Sequence, residues 1–154
     1  MGDLLSEVRG WQPRFAALLR ADGLPQRTVR QLAGEALKMI VRVLSDDDGM
    51  WVVGPHANAA SEFSLSTEVG GKVATLRADR IFWAGPAPRV TGENCFWIID
   101  YKTSAPGGAG LDAFLARQRE FYASQLEGYA KVLGPMVGAR QIRVGLYFPA
   151  LARL

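Results

Sequence analysis

Cysteine and histidine are almost absent: the 154 residues contain one of each, Cys95 and His56. A single thiol excludes a disulfide framework within the chain, and with it a cysteine-only zinc site or an iron–sulfur cluster built by this chain alone. A single imidazole excludes a His–His metal pair. No apolar run approaches the roughly 20 residues needed to span a bilayer. The N-terminus lacks the basic-then-apolar pattern of a signal peptide. There is no Gly-x-x-x-x-Gly-Lys-[Ser/Thr] loop, so ATP-driven chemistry is not expected from this chain. Charge of one sign is scarce too: 18 Lys and Arg against 15 Asp and Glu leave a net +3, which mildly favours an anionic partner without amounting to a basic tail. Internal repeats are missing. What remains is the composition of one soluble globular domain, 49% hydrophobic and long enough to bury a core. A free thiol suits a reducing compartment, so the expected location is cytoplasmic, away from membranes.

The chain then reads as helices, three strands, a helix and a strand. Residues 2–21 carry apolar side chains at helical spacing, interrupted near Pro13. Thr28 is placed to cap a second helix running to about Leu44, with Glu35 off its apolar stripe. Ser45 to Gly49 reads as a solvated turn; its three aspartates lack the alternation and the later Glu of a calcium loop. Trp51 to Val53 reads as a short strand, followed by a loop with His56, which either packs near strand ends or contacts a metal or phosphate. Ser61 to Ser66 alternates polar and apolar residues, Gly70-Gly71 supplies a hairpin turn, and Lys72 to Trp83 forms a second strand. In that second strand Val73, Thr75, Arg77, Asp79 and Ile81 would share one face. Phe96 to Ile99 is a buried strand leading into Asp100-Tyr101-Lys102. The Gly-rich segment from Ser104 to Gly110 excludes regular structure and should form a mobile, exposed loop. Residues 111–134 read as a long helix ended by Gly134-Pro135, with Phe121, Tyr122, Gln125 and Tyr129 on its inner side. Ile142 to Phe148 is the last strand.

Asp100 and Lys102 point to one face of their strand, Ile99 and Tyr101 to the other. A carboxylate and an ammonium thus lie side by side where a hydrophobic strand ends, and burying them needs a compensating role. Either they form a surface ion pair or Asp100 holds a divalent metal with Lys102 near a reacting anion. Glu62, Asp79 and Asp100 fall on consecutive strands, and three such carboxylates can converge on one edge. Hard cations such as Mg²⁺ take oxygen ligands, commonly one or two carboxylates plus water and substrate phosphate.

Asp79, then Asp100-Tyr101-Lys102-Thr103-Ser104, then Gln125-Leu126-Glu127-Gly128-Tyr129 resemble the motifs of the PD-(D/E)XK nuclease superfamily. The branch they resemble is the RecB-type nuclease domain at the C-terminus of UvrD/Rep-like helicases, over roughly residues 50–149. The resemblance implies an α/β fold: a restriction-endonuclease-like mixed sheet (αβββαβ core) with flanking helices and an extra N-terminal helical segment. It divides the chain into residues 1–49, packed helices, and residues 50–154, the nuclease core, as one compact domain excised from a longer helicase–nuclease chain. It implies a DNA nuclease dependent on Mg²⁺ or Mn²⁺, hydrolysing phosphodiesters in repair or recombination beside helicase motor domains in cis or in a complex. Asp79, Asp100 and the backbone carbonyl of Tyr101 would hold the metal. Lys102 would be the catalytic lysine, with Glu62, Gln125 and Tyr129 completing the catalytic set. Arg80, Thr103, Tyr122, Gln125 and Tyr129 would touch DNA. Helix 28–44 lacks the histidine that many such domains carry, so Glu62, His56 or Glu35 would complete the metal site, or the metal would have fewer protein ligands. The alternative is a catalytically weak or inactive DNA-binding or interaction domain on the same fold.

Overall fold

The computed structural model describes residues 2–69, 71–108, 110–137 and 141–154. Among these, α1 (Gly2–Arg9), α2 (Gln12–Ala21), α3 (Gln26–Leu44) and α4 (Asp47–Val53) precede β1 (Ala57–Val69), β2 (Lys72–Ala84) and β3 (Cys95–Tyr101). Helix α5 (Leu111–Val137) and strand β4 (Gln141–Tyr147) follow. The sheet runs β1-β2-β3-β4. Its first two pairings are antiparallel and β3–β4 is parallel, with α5 as the crossover. This is a mixed α/β fold with a four-stranded sheet and flanking helices.

Helices cover both faces, which is why β3 is buried along nearly its whole length. On one face, Val43 of α3 and Val52 of α4 pack with Phe82, Trp97, Ile99 and Tyr147. On the other, Leu133 and Tyr129 of α5 pack with Leu76, Ala78, Ile81, Phe96 and Ile98. Farther along α5, Phe114 and Leu126 meet Leu146 and Phe148. No helix of the described residues is long and apolar enough to cross a membrane.

The structure corrects several local expectations. Ser45 to Gly49 is not a solvated turn: Asp46 caps α4 by accepting from the Gly49 N–H at 2.7 Å, an interaction worth about 1 kcal/mol. Trp51 to Val53 is therefore helical rather than a strand; Trp51 and Val52 pack against the sheet instead of joining it, and Val53 is exposed. A Cβ at Gly49 would collide with the Tyr147 hydroxyl and the Val43 carbonyl, so α4 sits against β4 only because that residue has no side chain. Thr28 lies inside α3, which begins after Pro25 without a side-chain cap. The break between α1 and α2 falls at Gly10-Trp11, and Pro13 sits in the first turn of α2, where its missing N–H has no intrahelical partner to lose. Helix α5 does not stop at Gly134: it continues past Pro135 to Val137, because Leu133 and Val137 both bury beneath it. Val69 pairs with Lys72 across the expected hairpin turn, and Gly71 takes φ +76°; Gly70 lies outside the described residues, as does Ala109 in the Gly-rich loop.

Strands β1 and β2 lose their alternation at one level. Ala60, Phe63 and Leu65 all pack inward, as do Ala78 and Ile81, spacings that strict alternation forbids. The shared kink lies at Glu62, which has φ +52°, between the pairs Ser61–Arg80 and Phe63–Ala78. The single face expected for Val73, Thr75, Arg77, Asp79 and Ile81 is broken by it.

Candidate functional site

The kink coincides with the place where β2 and β3 separate. Their pairing ends at Arg80–Ile99, so Asp79, one residue earlier, comes opposite Asp100. At the β3–β4 pair Tyr101–Tyr147, the Lys102 N–H donates to the Tyr147 carbonyl at 2.9 Å. The peptide groups of Tyr101 therefore face β2 instead. With no β2 carbonyl in reach, the Tyr101 N–H donates to Asp79 Oδ2 at 2.6 Å. The Asp79 carboxylate thus takes the place of a ladder acceptor and is held beside Asp100.

Asp100 is the only buried charged residue among those described. Its Oδ2 is ion-paired with the Lys102 ammonium, yet no donor meets that oxygen in hydrogen-bond geometry. Burial raises the pKa of Asp100; the adjoining Lys102 ammonium pulls it down, and Asp79 pushes it up again. The Lys102 ammonium lies 3.8 Å from the centroid of the Tyr122 ring, a cation–π contact that steadies it from the α5 side. One helical turn on, Gln125 Nε2 donates to the Tyr129 hydroxyl at 2.6 Å, and that hydroxyl donates to the Arg77 carbonyl at 2.6 Å. Burial raises the Tyr129 phenol, and the charges of Asp100, Lys102 and Asp79 all act on it. Ser104 Oγ bonds Gln118 Oε1 at 3.2 Å, tying the loop after Lys102 to the same helix.

The structure thus gathers Asp79, Asp100, Lys102, Tyr122, Gln125 and Tyr129 from three elements. It leaves other expected residues outside. Glu62 is exposed, and its charge acts on the Tyr101 phenol, which packs on the sheet face opposite Asp100. Three carboxylates do not converge: among the described residues, no group of three or more His, Cys, Asp or Glu side chains stands close enough to hold a metal. His56 does not complete the site. Its ring stacks on Phe82 at 4.1 Å and its Nε2 bonds the Trp51 carbonyl at 2.5 Å, both on the α4 side. Glu35 is exposed on α3 and accepts from Gln31. Arg80 is not turned to a ligand: it donates to the carbonyls of Val52, Val53 and Gly54 and to Ser61, closing the C-terminal end of α4. Thr103 lines a cleft with Glu35, Met39 and Arg42, toward α3 rather than α5. Phe121, expected inside, is 74% exposed.

Sequence reasoning missed the kink and the part Tyr122 plays beneath Lys102. The spacings Ala60/Phe63 and Ala78/Ile81, three residues where a strand allows two, carried the signal for the kink.

The donors at Asp79 and Asp100 are all oxygens, and the buried Asp100 Oδ2 is held by the Lys102 ion pair alone; a donor set of this chemistry fits a hard divalent cation. Neither a protein-family model nor a curated protein matches this sequence.

Proposed function

We propose that this chain is a divalent-metal-dependent DNA nuclease domain of the PD-(D/E)XK superfamily, RecB-type, with a restriction-endonuclease-like fold. The observation that carries the reading is the buried Asp100 carboxylate, opposed by Asp79 and ion-paired with Lys102 where β2 and β3 part. Burying such a pair costs folding free energy that apolar side chains of similar size would not, which favours a role for it beyond stability. The αβββαβ order of elements and the placement of Gln125 and Tyr129 over the same spot support it.

Asp79, Asp100 and the Tyr101 carbonyl would hold Mg²⁺ or Mn²⁺. Two carboxylates suffice, since Mg²⁺ commonly completes its shell with water and substrate phosphate. When bound, the metal supplies an activated water and neutralises charge on the phosphodiester. Asp100 must be ionised to take part; burial raises its pKa, and the Lys102 ammonium acts against that rise. The Lys102 ammonium, held over Tyr122, would face a phosphoryl oxygen as charge develops there. Tyr129 and Gln125 lock the α5 side of the site to β2 through the Arg77 carbonyl. Helicase motor domains, in cis or in a complex, would deliver the strand.

The test is cleavage of labelled single- and double-stranded DNA by the purified protein with Mg²⁺, Mn²⁺ or EDTA. Cleavage is expected with either metal and not with EDTA, and Asp100→Ala and Lys102→Ala should each abolish it. Unchanged cleavage in both variants means the site is elsewhere. A second reading, an inactive DNA-binding domain on the same fold, draws on Glu62 standing away from the two aspartates. Salt-dependent binding with no cleavage in any divalent metal would select it.

A further inference from the structure

Phe121 is not used by the site described above, yet it stands at its edge. Helix α5 carries Arg117, Phe121, Gln125 and Tyr129 at successive i, i+4 positions, so the four share one flank. Each step climbs about 6 Å along the axis. The row begins at an exposed cation, passes an exposed ring and an exposed amide, and ends at the phenol bonded to β2 beside Asp79. The Phe121 ring is 74% exposed but not loose: it meets the Tyr122 ring edge-on at 4.9 Å, and Tyr122 in turn lies under Lys102.

We propose that Phe121 is a stacking platform for an unpaired base of the single strand whose phosphodiester lies at Asp100 and Lys102. The inference rests on the nuclease reading. Two features favour a nucleic-acid strand over a protein. The neighbours of the ring on this flank, Arg117, Ser124, Gln125 and Gly128, are charged, polar or without a side chain, so the exposed apolar surface is one ring. Protein docking sites are contiguous apolar patches of hundreds of Å², whereas one ring matches one base, whatever its identity. The row also carries the charge such a strand needs: Arg117 lies one step beyond the ring, where the next phosphate would pass. A duplex keeps its bases stacked on one another and offers the ring no face, so the platform distinguishes a single strand.

The experiment measures binding by fluorescence anisotropy in EDTA, so that nothing is cleaved. The probes are a labelled 12-nucleotide oligothymidylate, an abasic strand of the same length and a blunt duplex. Stacking on an aromatic side chain contributes enough that Phe121→Ala should weaken oligothymidylate binding roughly 5- to 150-fold. The same change should leave abasic-strand and duplex binding unaltered, and Phe121→Trp should retain wild-type affinity. The ring is exposed, so its removal opens no cavity, and an unchanged melting temperature checks this. Equal oligothymidylate affinity of wild type and Phe121→Ala overturns the proposal, as does an equal loss on the abasic strand. So does a self-association that Phe121→Ala abolishes without altering strand binding. Mg²⁺-dependent cleavage measured in parallel separates the two claims: cleavage without ring–base coupling removes the platform and leaves the nuclease, and coupling without cleavage does the reverse.

Discussion

Replacing Lys102 by Met keeps most of the side-chain volume and removes the charge. Asp100, with 8% of its side chain exposed, is then left facing Asp79 with no cation beside it. Breaking a buried ion pair from one side costs about 3–5 kcal/mol. The Lys102 side chain retains 16% exposure, so water entering its place partly screens the orphaned carboxylate, and about 2–3 kcal/mol is expected at pH 7. For a domain of this size that lowers the melting temperature by roughly 5–10 °C. The loss must also depend on pH. Losing Lys102 removes the influence that lowers the Asp100 pKa, so the folded-state value rises further above the ordinary 3.8. A raised carboxyl pKa means the folded state binds the proton more tightly. Stability is then complete below the unfolded value, falls as pH rises above it, and levels off once the folded-state pKa is passed. Thermal melts of wild type and Lys102→Met at pH 4 and pH 7 should therefore show the gap widening with pH. Adding Asp100→Asn to Lys102→Met should recover most of the loss. Equal melting temperatures at pH 7, or a deficit that Asp100→Asn does not relieve, would show that the pair is solvated and that the burial argument fails.

Asp79→Ala removes the acceptor of the Tyr101 N–H and should destabilise by about 1.5–3 kcal/mol in chemical denaturation, whereas Asp79→Asn keeps an acceptor and most of the stability. Both should lose metal-dependent cleavage, so Asp79→Asn separates the structural from the chemical part of that carboxylate. Tyr122→Phe should cleave like wild type; Tyr122→Ala, by releasing a cation–π contact of about 0.5–2 kcal/mol, should lower kcat and not KM. Arg80→Ala leaves three carbonyls at the end of α4 without their donor and should cost about 2–4 kcal/mol in urea unfolding. The salt dependence of DNA binding should not change with Arg80→Ala, because its guanidinium faces α4.

The order of elements was legible in the chain because it rests on local patterns. Strand β3 is an unbroken apolar run ending in charge, and α3 and α5 repeat apolar residues at helical spacing. Trp51 to Val53 misled because branched and aromatic residues favour strands in general, while Asp46, a cap five residues earlier, decides the segment locally. Pro135 misled because the penalty for a proline near a helix end is smaller than the burial of Leu133 and Val137 around it.

The sequence by itself determined the candidate chemistry: Asp-x-Lys on a strand places carboxylate and ammonium on one face, and the four-residue step from Gln125 to Tyr129 places both on one side of a helix. Only the tertiary structure decided which residues belong together. Asp79 joins Asp100 because β2 pairs with β3 only from Arg80 onward and the freed Tyr101 N–H needs an acceptor. Glu62, on the neighbouring strand, turns away because the backbone there takes a positive φ. Arg80 is one residue from Asp79 and faces the other helix layer, where it satisfies α4. Alternation along a strand is a local rule, and a kink shared by two strands overrides it through pairing and packing that no single segment records.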